Sequence, residues 1–143
     1  MEQSRDWSAS TAAQALVPIP GCASTVAVHD GLFFVSSIEG TSASREESVE
    51  AELREALRSL RTALRAAGAS LGDVVQLTFA LRRAGDVPAL DVVTREFFQA
   101  PYPARVVLGA PIDAPVSVSA IAVGAGRSQR RPLPERNVKE TLI

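Results

Sequence analysis

An α+β fold, with two helices packed on one face of a mixed sheet, is what this sequence predicts, and three observations carry it. Apolar residues recur at intervals of three or four in one long stretch and one shorter one, which is the helical period. Other short runs are β-branched and aromatic, and the run after the long helix alternates with period two. The order of these stretches, β-β-(β)-α-β-α-β-β, flanks each helix with strands, so both helices must lie over one sheet.

Each element has its own local justification. Residues 1–15 are polar and rich in Ala and Ser, an N-terminal arm with Trp7 as its candidate anchor. Leu16-Val17-Pro18-Ile19-Pro20-Gly21 carries two prolines, which restricts it to a sheet edge or a loop. Thr25-Val26-Ala27-Val28-His29 and Leu32-Phe33-Phe34-Val35-Ser36-Ser37 are strands joined by Asp30-Gly31. A two-residue type I′ turn needs positive φ at both positions, and Asp-Gly is a residue pair that tolerates it.

Ser44-Arg45-Glu46-Glu47 has the form of a capping box, and behind it Val49, Leu53, Leu57, Leu60, Leu64 and Ala67 form a stripe. The helix is expected over about 45–67, stopped by Gly68, with Arg54, Arg58, Arg61 and Arg65 on its solvated side. From Asp73 to Arg83 the period is two, Val75, Leu77, Phe79 and Leu81 facing one way and Gln76, Thr78, Ala80 and Arg82 the other. Asp86-Val87-Pro88 opens a second helix with Leu90, Val93 and Phe97 on one stripe, ending before Pro101. The last strands are expected over 104–109 and 115–123, joined around Pro111-Ile112-Asp113. One α+β domain therefore spans 16–124, between the 1–15 arm and a basic, proline-containing tail over 125–143.

Composition removes several classes of function. The 143-residue chain is 46% hydrophobic and 22% charged with a net charge of −1, which lacks the basic excess of a nucleic-acid binder. Its basic residues concentrate only in the tail, at Arg127, Arg130, Arg131, Arg136 and Lys139, a solvated or interface-lying segment. Cys22 and His29 are each the sole residue of their kind, which leaves no disulfide framework, no cysteine-rich metal cluster and no His-paired nucleophile. No apolar run approaches the ~20 residues of a membrane span, and the N-terminus lacks the pattern of a signal peptide. The expectation is a cytoplasmic protein without metal or organic cofactor and without nucleic-acid or membrane partners.

Tyr102-Pro103-Ala104-Arg105-Val106-Val107-Leu108 sets one Arg in a short apolar strand. A guanidinium cannot shed its charge, so it requires an anionic partner, either a protein carboxylate or a ligand carboxylate. Val116-Ser117-Val118-Ser119-Ala120-Ile121-Ala122-Val123 follows, with two hydroxyls on one face. A sheet with helices on one face leaves the other bare, and self-association would cover it.

These segments, with Gly31-Leu32-Phe33-Phe34-Val35-Ser36, Ala66-Ala67-Gly68-Ala69-Ser70, Leu71-Gly72-Asp73-Val74-Val75 and Phe97-Phe98, stand in the order and spacing of the Rid (YjgF/UK114) family. The chain resembles that family over about residues 20–124. The resemblance implies a chorismate-mutase-like protomer in a homotrimer with intersubunit clefts, and cofactor-free hydrolysis of enamines or imines bearing a carboxylate to the keto acid and ammonia. It implies that Arg105 grips the substrate carboxylate, that Ser36 and Ser37 border the cleft in a loop, and that Val107 contributes its backbone carbonyl.

Two positions depart from the deaminating branch. Its acidic residue before Ala-Ile-Ala, which holds the attacking water, is Ser119 here, and Gly21-Cys22-Ala23 stands where Gly-Pro-Tyr is usual. Ser is no general base at neutral pH. Glu39, just past the Ser36-Ser37 loop, is the candidate substitute, with Arg105 and Ser119 the other catalytic candidates and Ser36, Ser37, Val107 and Ala23 lining the substrate site. Glu96 and His29 read more simply as a helix-surface charge and a strand-end residue. The alternative to an imine deaminase is a non-hydrolytic binder of small carboxylates on the same scaffold. An internal Asp or Glu already holding Arg105 would count against both.

Overall fold

Alternating burial along each strand and a single apolar stripe on each helix generate the architecture. The computed structural model describes residues 18–19, 23–40 and 48–124. β1 (Pro18–Ile19) and β2 (Ala23–Ser24) form a short antiparallel pair apart from the main sheet, as the prolines required. β3 (Val26–His29) and β4 (Leu32–Glu39) are the predicted hairpin, with φ of 50° at Asp30 and 76° at Gly31. Both central residues thus adopt the positive φ that the Asp-Gly signal called for.

α1 (Val49–Ala67) begins later than expected. Ser48, not Ser44, is its cap: the Ser48 hydroxyl accepts a hydrogen bond from the Ala51 amide at 3.2 Å, and Glu50 and Glu52 occupy the first turn. The reason is the stripe, which starts at Val49, so the serine immediately before it closes the helix; the box at 44–47 lies outside the described residues. Gly68 ends α1 at φ 95°, as read from the sequence. A turn over Leu71–Asp73 leads into β5 (Val74–Leu81), with the Asp73 carboxylate accepting from the Ser70 amide at 2.9 Å and from its hydroxyl at 3.1 Å.

β5 corrects a second expectation. Val74 pairs with Ala122 and Gln76 with Ile121, so Val75 is an extra residue in a bulge. Val74 is the fully buried residue, and Val75 is displaced from the inward set while Leu77, Phe79 and Leu81 keep their places. α2 (Val87–Phe97) buries Ala89, Leu90 and Val93, and is followed by β6 (Ala104–Gly109) and β7 (Val116–Val123).

The main sheet has the order β3-β4-β7-β5-β6, with β5 and β6 parallel and the other pairs antiparallel. Both helices cover one face. Leu53, Leu57, Leu60 and Leu64 of α1 and Leu90 and Val93 of α2 are completely buried against Val26, Phe79, Val116, Val118 and their neighbours. Each such Leu contributes about 1.5–3 kcal/mol relative to exposure, which makes this layer the core. The opposite face leaves Phe34 43% and Leu108 52% exposed, with Leu32 and Val106 beside them. No helix among the described residues is long and apolar enough to cross a membrane.

Candidate functional site

Arg105 is positioned by register. It pairs with Leu77 of β5, and Leu77 lies buried under the helices, so Arg105 projects toward the helix side at the sheet edge. There it meets α2. Nη1 of Arg105 donates to Oδ1 of Asp91 at 2.5 Å, with the two side chains 37% and 45% exposed.

The sequence left the identity of this partner open, and within the protomer it is a protein carboxylate. An unpaired Arg105 waiting for a ligand is therefore corrected. Asp91 is 14 residues away and reaches the guanidinium only because the crossover lays α2 beside β6. The contact nevertheless uses one prong of the fork. Arg54 and Glu96 show what a closed pair looks like: Nε and Nη2 of Arg54 both donate to the Glu96 carboxylate at 2.7 Å. That hydrogen bonding holds the Glu96 carboxyl below the usual carboxylate range and raises the Arg54 guanidinium above its own. Glu96 is thus engaged structurally and is no candidate base.

A cleft of about 220 Å³ opens beside Arg105 and Asp91, lined also by Leu77, Thr94, Arg95, Tyr102 and Pro103. Thr94 Oγ1 is fully buried and has no hydrogen-bond partner there. An orphaned buried hydroxyl is uncommon and costly. Neither Asp91 nor Thr94 was singled out from the sequence. The available signal was the helical spacing of Asp91, Thr94 and Arg95 just before an Arg-bearing strand, which has no meaning until the strand order is known.

The remaining predicted residues lie elsewhere. Val107 shares the helix side with Arg105, since it pairs with buried Phe79. Ser119 pairs with Thr78, one residue out of phase with Leu77 and Phe79, and so projects from the opposite face of the sheet. β5 separates β7 from β6, which places Ser119 two strand spacings, about 10 Å, from the Arg105 strand. Ser119 lines a separate hollow of about 150 Å³ with Phe34, Gln76, Thr78 and Ile121, none of which is acidic.

Ser36 and Ser37 do not form a loop. They belong to β4, at a register irregularity between Val35 and Ile38, because the β4–β7 ladder resumes beyond them. The Ser36 hydroxyl donates to the Ser24 carbonyl at 2.6 Å, and the Ser36 amide to the Thr25 carbonyl at 2.8 Å. Glu39 is exposed at the end of β4 opposite Ser117, three strands from β6. Ala23 pairs with Ile19 in the outer ribbon. One protomer therefore brings Arg105 and Val107 together and leaves Ser36, Ser37, Glu39 and Ser119 on strands beyond their reach. His29 is half exposed with Nε2 3.2 Å from Asp30, and no group of three or more His, Cys, Asp or Glu among the described residues could hold a metal ion.

A five-stranded mixed sheet with two helices on one face and an edge-strand Arg defines a class of small α+β proteins. A family profile described as Endoribonuclease L-PSP matches residues 13–123, and the chain belongs to that family, the YjgF/UK114 or Rid family of the sequence resemblance. A "2-iminobutanoate/2-iminopropanoate deaminase" of Dermatophagoides farinae is 36% identical over 75 residues, which cover 50% of this chain and 59% of that relative's length. The crystal structure of RidA from the Antarctic bacterium Psychrobacter superposes with a TM-score of 0.67 at 22% identity, over 77% of this chain and 94% of that one. E. coli TdcF, crystallised with bound serine, gives a TM-score of 0.67 at 23% identity, over 78% of this chain and 95% of that one. At these identities the two structures show the fold.

Proposed function

We propose that this chain is a metal-independent imine deaminase that hydrolyses a small carboxylate-bearing imine or enamine to the keto acid and ammonia. The Asp91 contact tells against an Arg105 held wholly for a ligand, and the observation that carries the reading is that this contact uses Nη1 alone beside a cleft, which leaves Nε and Nη2 to a ligand carboxylate. The relative named as an iminobutanoate/iminopropanoate deaminase and the serine held by TdcF, both small carboxylates, support it.

In the reaction the protonated imine carbon takes water, the C–N bond breaks, and the carbonyl and ammonium leave. A carboxylate clamp fixes the flat acid with that carbon open to attack. Ser119, Ser36, Ser37 and Glu39 join the site across a homotrimer interface, in which the bare sheet face of one copy meets the β6 edge of the next. Exposed Phe34, Leu108, Leu32 and Val106 supply the apolar surface for that contact. Ser119 and the Val107 carbonyl then orient the water, and Glu39, which pairs opposite Ser117 on the sheet face that Ser119 shares, is the carboxylate to take its proton.

A second reading is a non-hydrolytic binder of small carboxylates on the same assembly. It is favoured by the absence of any acidic side chain from the hollow around Ser119. Incubation with enzymatically generated 2-aminoacrylate, followed by keto-acid release, separates the two. Acceleration that Arg105→Ala abolishes is the expected outcome. Carboxylate binding without turnover, converted to turnover by Ser119→Glu, would establish the binder instead.

A further inference from the structure

We propose that Gln76 and Thr78 of β5, together with Ser119, hold the attacking water in a neutral hollow on the bare face of the sheet, which no acidic side chain lines. The proposal rests on the deaminase reading and the interface given above.

Strand register gathers these three side chains. Leu77 and Phe79 are buried under the helices, so the two-residue period sends Gln76 and Thr78 to the opposite face. Ser119 is the direct partner of Thr78 across the β5–β7 ladder, and Gln76 pairs with Ile121, the next residue of β7 on that face. Directly opposed side chains stand with Cβ atoms about 5 Å apart, and diagonal ones within about 7–8 Å. On the other side of β7, the irregularity in β4 falls opposite Ser119. Val35 pairs with Ala120 and Ile38 with Val118, so Ser119 has no paired residue on that strand.

The hollow has a volume of about 150 Å³, and Phe34 and Ile121 are apolar parts of its wall. Its three polar residues are half-buried, and none of their side chains has a hydrogen-bond partner among the described residues. Unpaired polar groups are costly, and covering the face with a second copy would raise that cost. Water is the partner that fits. The volume admits about five waters at ~30 Å³ each. An ordered water needs two to four polar neighbours, which an amide and two hydroxyls supply.

In the reaction these groups fix the water and do not take its proton. Their oxygens accept hydrogen bonds from it, so its lone pair faces the imine carbon. A glutamine amide orients the attacking water in the same manner in GTP hydrolysis. The C–O bond forms, the π pair of C=N moves onto nitrogen, and the surplus water proton goes to Glu39, opposite Ser117 two residues along β7. That proton then returns to the nitrogen. The C–N bond breaks, and ammonia departs with the hydroxyl proton as ammonium while the carbonyl forms.

The test is keto-acid release from enzymatically generated 2-aminoacrylate by the full chain, with kcat and KM determined separately. Thr78→Val and Gln76→Leu remove the polar atoms at little change in volume. Each should lower kcat about tenfold or more with KM within about twofold, since the water is misplaced and the carboxylate site is untouched. Thr78→Ser, which restores the hydroxyl, should recover most of the loss. Unchanged kcat in both variants, a loss carried by KM alone, or Thr78→Ser as slow as Thr78→Val would overturn the proposal. The two positions are independent, so either decides if the variant at the other fails to fold. Arg105→Ala keeps the two inferences apart. No turnover by the unaltered protein, or turnover indifferent to Arg105→Ala, sinks the deaminase reading itself. Turnover that needs Arg105 and ignores Gln76 and Thr78 sinks only the water-holding role.

Discussion

Replacing Thr94 by Val measures what one buried, unpartnered polar atom costs the fold. Thr94 Oγ1 is buried and has no hydrogen-bond partner, so folding removes it from water without return. Such a group costs on the order of 1–3 kcal/mol. Val is nearly isosteric and β-branched like Thr, and the two have similar helix propensities, so α2 itself is little affected. Taking the low end of that range, because Thr94 lines an open cleft, Thr94→Val should stabilise the protein by ~1 kcal/mol. For a chain of this size that raises Tm by about 3–4 °C. Thermal denaturation followed by circular dichroism, at equal protein concentrations, measures it. An unchanged or lowered Tm would show that the hydroxyl is already satisfied in the free protein and would refute the reasoning.

Three further predictions address the scaffold. Gly68 adopts φ 95° with no atom within 4 Å of an added Cβ, so Gly68→Ala should cost only the left-handed backbone penalty, about 1–2 kcal/mol in urea unfolding. Glu96 has its pKa lowered by hydrogen bonding to Arg54, so the pair's contribution is present above the unfolded carboxyl pKa and is lost as pH falls through the lower folded value. The advantage of the unaltered protein over Glu96→Gln in urea midpoint should accordingly shrink across that acid window, and an advantage independent of pH would contradict the assignment. Phe34→Asp on the bare sheet face should shift the sedimenting species from the proposed trimer toward monomer without changing the helical circular dichroism, because Phe34 packs on no helix.

The elements were legible because they depend on near neighbours in the chain. The α1 stripe, the Gly68 stop and the Asp30-Gly31 turn are local patterns, and the structure contains all three. Local pattern erred where two local solutions were close. Ser44 and Ser48 both precede an apolar stripe, and only the stripe's first residue, Val49, decides between them. At Val74-Val75 two β-branched residues fit the inward position equally well, and the pairing of β5 with β7 places the bulge. The local β run already took in Ser36-Ser37, and it is the loop implied there by the family resemblance that gives way to β4, whose pairing with β7 resumes at Ile38 beyond an irregularity.

The chain by itself determined that an Arg in an apolar strand had to find a negative charge, since a guanidinium has no neutral form to fall back on. Only the tertiary structure decided which charge. The parallel β5–α2–β6 crossover lays Asp91 beside Arg105, and strand order with the two-residue period sends Ser119 to the other face of the sheet. Contacts of that kind are set by how distant segments pack, and sequence spacing holds no record of them.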